Sequence, residues 1–187
     1  MYPGGTRLDP TTVGYSWSEN TISALFQPYA VNQEPNPARW IATFAVFLFC
    51  LSIGAVFHAI ATAAHQWSQR VYAGAVSRHG QIIRIAGIAA AAFAFLVTTP
   101  LHHIKVTIAL VFFLVAAVTL LHWLQQARAQ GLFLLGLLAL ALPVVNAILF
   151  YGQIGYERLL PVQKAGKLVA GIWLFAIYYG FEAQEID

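Results

Sequence analysis

Polar side chains inside apolar stretches are the first place to look for chemistry, because each costs free energy in lipid and needs a partner or a purpose. Here they are few: Ser52, His58, Thr62, Thr98, Asn146 and Lys167. His58 stands out, since His65 and His122 fall near the same depth, and two imidazoles on facing helices can hold a haem iron axially. His58 with His122 is therefore the alternative cofactor reading; the simpler one has His58 donating a hydrogen bond to a backbone carbonyl, with no cofactor at all. A second group gathers where apolar stretches meet polar turns. His102, His103 and Lys105 lie at one such turn, Glu157, Arg158, Gln163 and Lys164 at another, and Asp9, Glu19, Asn20 and Ser23 in the N-terminal segment can fold over both. An acid and a histidine brought together there can do general acid–base work on a lipid headgroup or bind a metal. The sequence has no His-x-x-x-His, no paired acids on one helix face and no Gly-x-Ser-x-Gly, so the reading favours a polar collar over an enzyme, a binding site formed by Asn20, Ser23, His102, His103, Lys105, Glu157 and Arg158.

These residues must be carried by a membrane domain. Of 187 residues, 59% are hydrophobic and 9% charged, and the mean hydropathy is +0.69, where soluble domains carry roughly a quarter charged residues. Five apolar blocks, Trp40 to about His65, Ile82 to Thr99, His103 to Leu124, Leu132 to Gly152 and Val162 to Tyr179, each approach the ~20 residues a helix needs to cross the hydrocarbon. Helices are expected because lipid-exposed strands would leave backbone groups unpaired, and no alternating pattern of a barrel is present. The fold class predicted is all-α, a five-span bundle over residues 39–187 behind an extramembrane segment, 1–38. That segment holds Pro3, Pro10, Pro28, Pro35, Pro37 and Gly4-Gly5, with a short interfacial helix through Ile22, Leu25 and Phe26 capped by Ser18 or Asn20.

Trp40, Trp67, Trp123, Tyr151, Tyr178 and Tyr179 stand at block ends, as interfacial aromatics do. Ala55, Ala59 and Ala63 repeat every four residues, as do Gly87 and Ala91, which predicts a close packing seam between the first two spans. Pro143 predicts a kink in the fourth. The connections are short, so successive spans are antiparallel. The N-terminal segment, the turn at His102 and the loop at Glu157 then share one side, the first face; the remaining loops share the second face. Ten basic and seven acidic residues are scattered without a long like-charge run, which argues against a nucleic-acid partner and leaves lipid, a membrane-protein partner or a second copy. The single cysteine, Cys50, excludes an intrachain disulfide. No cleavable signal peptide is visible ahead of the first span.

Tyr2-Pro3-Gly4-Gly5-Thr6, followed by Tyr15-Ser16-Trp17-Ser18-Glu19-Asn20-Thr21-Ile22-Ser23-Ala24-Leu25, resembles a family of small bacterial membrane proteins, domain of unknown function 998, itself distantly similar to the DRAM-like membrane proteins. The resemblance covers the N-terminal quarter by motif and the rest by hydropathy. It implies a bacterial plasma-membrane protein whose first face is extracytoplasmic; the family completes a helix ahead of the Tyr-Pro-Gly-Gly motif, so either a helix precedes Met1 or this member has dispensed with it. The charge distribution alone, with Arg7, Arg39, Lys105, Arg158, Lys164 and Lys167 on the first face against Arg70, Arg78, Arg84 and Arg128 on the second, leans the other way by the positive-inside rule. The family implies no reaction.

Overall fold

A computed structural model of the chain describes residues 1–71, 78–99, 101–152 and 154–182, without the side chains of residues 102, 103, 150, 151, 156, 157 and 182. It is all-helical, with no strand among the described residues. Five α-helices follow a short 3-10 turn at Ile22–Phe26: α1 Arg39–Val71, α2 Arg78–Leu96, α3 His102–Gln126, α4 Gln130–Gly152 and α5 Tyr156–Glu182. All five are long and apolar enough to cross a membrane, so the protein is a multi-pass membrane protein. Each helix exceeds its apolar block at one or both ends, because polar residues such as Gln69, Arg78 and Arg158 continue a helix in the headgroup layer at no cost. At 33 residues, α1 is ~50 Å long, well beyond the ~30 Å of hydrocarbon.

The helices pack in chain order: α1 on α2, α2 on α3, α3 on α4 and α4 on α5, with α1 also touching α5. The core is a stripe on each helix: Phe57, Ile60, Ala61 and Ala64 of α1, Ile83 and Ala86 of α2, Ala116, Ala117, Leu120 and Leu124 of α3, Ala139 of α4, and Trp173, Leu174 and Ile177 of α5. Large apolar side chains such as Phe44, Phe49, Leu51, Ile85, Val111, Leu134 and Leu168 point outward. That inversion suits a bundle whose solvent is hydrocarbon, where burying apolar groups gains nothing and close packing decides.

The alanine seam is corrected. Ala55 is exposed and Ala59 and Ala63 are half-buried, while the face turned to α2 carries Gly54, Phe57, Ala61 and His65. Gly87 and Ala91 do lie in the contact: a Cβ on Gly87 would stand 2.2 Å from Phe57 Cγ, and a Cβ on Gly54 would stand 3.8 Å from that of Ala91. A four-residue repeat of small side chains identifies a smooth helix face without saying which neighbour it meets, and the contact with α2 is made by a different face of α1. Trp123 is also corrected. It is fully buried between Trp67, with ring centroids 6.4 Å apart, and Phe181, at 4.5 Å, whereas Trp40 and Tyr179 are exposed at opposite ends as expected. Helix α4 runs through Pro143 without interruption. Trp173 of α5 donates from Nε1 to the carbonyl of Leu132, at 2.8 Å, fixing α5 on α4.

Hydroxyls inside the spans bond back to the preceding turn: Ser52 to the Leu48 carbonyl, Thr62 to His58, Ser68 to Ala64 and Thr119 to Val115, at 2.7–3.0 Å. These bonds satisfy polar groups where no water reaches and ask nothing of a ligand.

Candidate functional site

The N-terminal segment is a folded cap built on Asn20. Its side chain is buried, donates from Nδ2 to the Gly5 carbonyl at 2.8 Å and accepts the Ser16 amide on Oδ1 at 2.8 Å. The Tyr2-Pro3-Gly4-Gly5 turn passes close to two other stretches of the segment, at Thr12 and Val13 and at Val31 and Asn32. Gly4 pairs with Val13 and Gly5 donates to the Thr12 carbonyl. Both glycines hold positive φ, and a Cβ would stand 2.1 Å from the Thr12 oxygen at Gly4 and 2.5 Å from the Asn32 nitrogen at Gly5. Only glycine fits twice in succession there. Tyr2 is buried, its ring edge-on to Tyr15 at 5.8 Å and its hydroxyl accepting the Val31 amide at 3.1 Å. Asn36, also buried, closes the other end of the segment, donating to the carbonyls of Leu25 and Gln27 at 2.9 and 3.0 Å.

One lysine pins this cap to the bundle. Lys164 of α5 is buried and donates from Nζ to the carbonyls of Asn20, at 2.9 Å, and Trp17; the same ammonium lies 4.5 Å from the Trp17 ring centre and 5.4 Å from that of Tyr15. Two carbonyls and two ring faces together replace the water a buried ammonium would lose. The sequence reading left Lys164 out of the site, although a signal was present. It falls one turn after Leu160, on one face of α5 where both are buried, and a charge on an inward face calls for a dedicated partner.

The remaining site residues divide. Asn20 does not cap the short helix as expected: Thr21 holds the N-cap position and makes no side-chain cap bond, while Ser23 donates to the Thr21 hydroxyl at 2.9 Å. Asn20 has instead turned inward, where its amide can satisfy two backbone groups at once. Lys105 donates to the Thr99 hydroxyl at the α2–α3 turn. Arg158 sits in the first turn of α5, its amide bonded to the Gly155 carbonyl. The side chains of His102, His103 and Glu157 lie outside the described residues. Of the haem alternative, His58 is exposed on α1 and His65 contacts its own helix through Gln69, 3.1 Å away. The imidazole that meets His122 is that of His79, which the sequence reading passed over.

Beside the cap lies an open, largely apolar cleft of about 470 Å³, lined by Met1, Tyr2, Val13, Gly14, Tyr15, Leu25 and Ala38. Two cations are neighbours of its lining residues. Arg39 follows Ala38 at the start of α1, with its guanidinium 4.7 Å from the Trp40 ring centre, and Lys164 stands against Tyr15. Trp17, Tyr29 and Trp40, all exposed, ring the same end of the molecule with amphipathic side chains of the kind that settle at headgroup depth. Burial pushes the Tyr15 phenol up from its ordinary range, with Tyr2 adding to the shift, so it stays a neutral hydrogen-bond donor to the Asn20 carbonyl, 3.2 Å away. On the outer edge, Asp9 is held below the usual carboxylate range by the hydroxyl and then the amide of Thr11.

No family model matches the chain, and no curated protein or solved structure matches it either.

Proposed function

We propose that this membrane protein binds an anionic lipid at its first face, with an apolar part of the lipid seated in the cleft between Tyr2, Val13, Tyr15, Leu25 and Ala38. The observation that carries the reading is an apolar cleft with Arg39 next to its lining residue Ala38, at the level of the exposed aromatics. An acyl chain or glycerol backbone gains by leaving water for such a cleft, while a phosphate gains from the nearby positive charge. The resemblance of the N-terminal motifs to the domain of unknown function 998 family fits a bacterial plasma membrane with this cap on its outer side.

The test is native mass spectrometry of the purified chain with phosphatidylglycerol or phosphatidylcholine added. Phosphatidylglycerol should be retained over phosphatidylcholine, and both Val13→Trp, which fills the cleft from an exposed position, and Arg39→Gln should weaken that retention severalfold. Equal retention of the two lipids, unaffected by Val13→Trp, would overturn the reading.

A further inference from the structure

The second face carries a pair of histidines that no role so far described uses. His79, one residue into α2, and His122, one turn before the end of α3, meet across the α2–α3 contact with His79 Nε2 2.8 Å from His122 Nδ1, ring centroids 5.0 Å apart and planes inclined by 38°. Their backbones are held firmly. His79 precedes Gly80, whose Cβ, were there one, would stand 2.7 Å from the Ala61 carbonyl of α1, and the buried Ile83 follows one turn on. His122 lies between Leu121 and Trp123, both buried, and its own ring is exposed at the rim. Two side chains that water can reach are thus presented by two backbones anchored through packed neighbours.

We propose that His79 and His122 form a two-histidine site for a divalent transition metal, Cu²⁺ or Zn²⁺, clamping α2 to α3. Two nitrogens bound to one metal at about 2.0–2.1 Å stand about 2.9–3.4 Å apart for cis or tetrahedral angles, so the observed separation must widen by only a few tenths of an ångström. In the hydrogen-bonded pair one facing nitrogen carries a proton. Metal entry moves that proton to the outer nitrogen of the same ring, leaving two neutral imidazoles with both facing lone pairs on the metal, and no net proton is released. No third histidine, cysteine or carboxylate joins them among the described residues, so water completes the coordination. Imidazole pairs of this kind select copper and zinc over magnesium and calcium, which prefer oxygen.

The experiment uses the full chain in detergent, with one equivalent of Cu²⁺ read by electron paramagnetic resonance, and Zn²⁺ in competition. Wild type should show nitrogen splitting from two imidazoles and a melting temperature raised by the metal. His79→Gln and His122→Gln keep a hydrogen-bonding side chain, and circular dichroism establishes that they fold. Each should lose the two-nitrogen signature and the metal-induced stabilisation, with affinity falling by at least the ~10-fold that even an outer-shell partner costs. The double variant His102→Gln/His103→Gln, on the opposite face, should bind as wild type does. Absence of binding by wild type, binding unchanged in both single variants, or binding lost only with His102 and His103 would each overturn the proposal.

Discussion

Asn20 and Lys164 hold the cap by complementary means, and their loss should differ. Asn20→Ala removes two bonds inside the segment and leaves the Gly5 carbonyl unpartnered, a cost of about 1–3 kcal/mol. Tryptic cleavage after Arg7 should then speed up about tenfold or more, since cleavage follows the population of the opened segment. Lys164→Met removes the link to the bundle and leaves the internal bonds of the cap in place, so cleavage after Arg39 should quicken while Arg7 stays comparatively protected. If neither variant changes the digestion pattern, the cap is held elsewhere. Tyr15 adds a pH dependence. Its pKa is raised in the fold, so its contribution to the cap is present at neutral pH and is lost as pH climbs past the ordinary phenol range through the raised folded value. Tyrosinate absorbance should therefore report a late-titrating tyrosine that Tyr15→Phe removes.

Between helices, contact is set by where a side chain is absent. At Gly87 a methyl would enter the Phe57 ring, and at Gly136 it would stand 2.5 Å from Trp173 Cζ2 and 2.7 Å from Leu121 Cδ2. Gly87→Ala and Gly136→Ala should each destabilise the bundle by about 1–3 kcal/mol through overpacking. Gly171 of α5 has nothing within 4 Å of its would-be Cβ, so Gly171→Ala should be neutral or stabilising by up to about 1 kcal/mol. Thermal unfolding in one detergent orders the three; a Gly171→Ala variant that melts with the other two would show that helix flexibility, and not space, sets the cost.

For the whole molecule, five antiparallel spans place residues 1–38 and the α3–α4 connection on opposite sides of the membrane. In a Cys50→Ser background, Thr11→Cys and Gln126→Cys should react with an impermeant maleimide from opposite sides of sealed vesicles. Labelling of both from one side would require a different span count. The same arrangement separates the cleft beside the N-terminal cap from the histidine pair by the full thickness of the bilayer, so occupation of one can be measured without touching the other.

The helices and their number were legible because a chain in hydrocarbon must satisfy its backbone internally, and a run of about twenty apolar residues has one way to do so. The folding of the N-terminal segment was partly legible too. Gly4-Gly5 announced a tight turn, and it is found in a packed cap where Tyr2 is buried and Tyr15 half-buried. Which partner each polar group takes was not in the sequence. Asn20 reads equally as a helix cap and as a buried bridge, and only the return of the chain past Gly5 made it the second. Alanines recur on two faces of α1, and helical period says that a face exists without saying which neighbour it meets. Lys164 meeting Trp17 across nearly 150 positions, and His79 meeting His122 across 43, depend on how separate helices rotate about their axes. Those rotations are chosen by Phe57 against Gly87 and Trp173 against Gly136, contacts between distant residues that local composition does not encode.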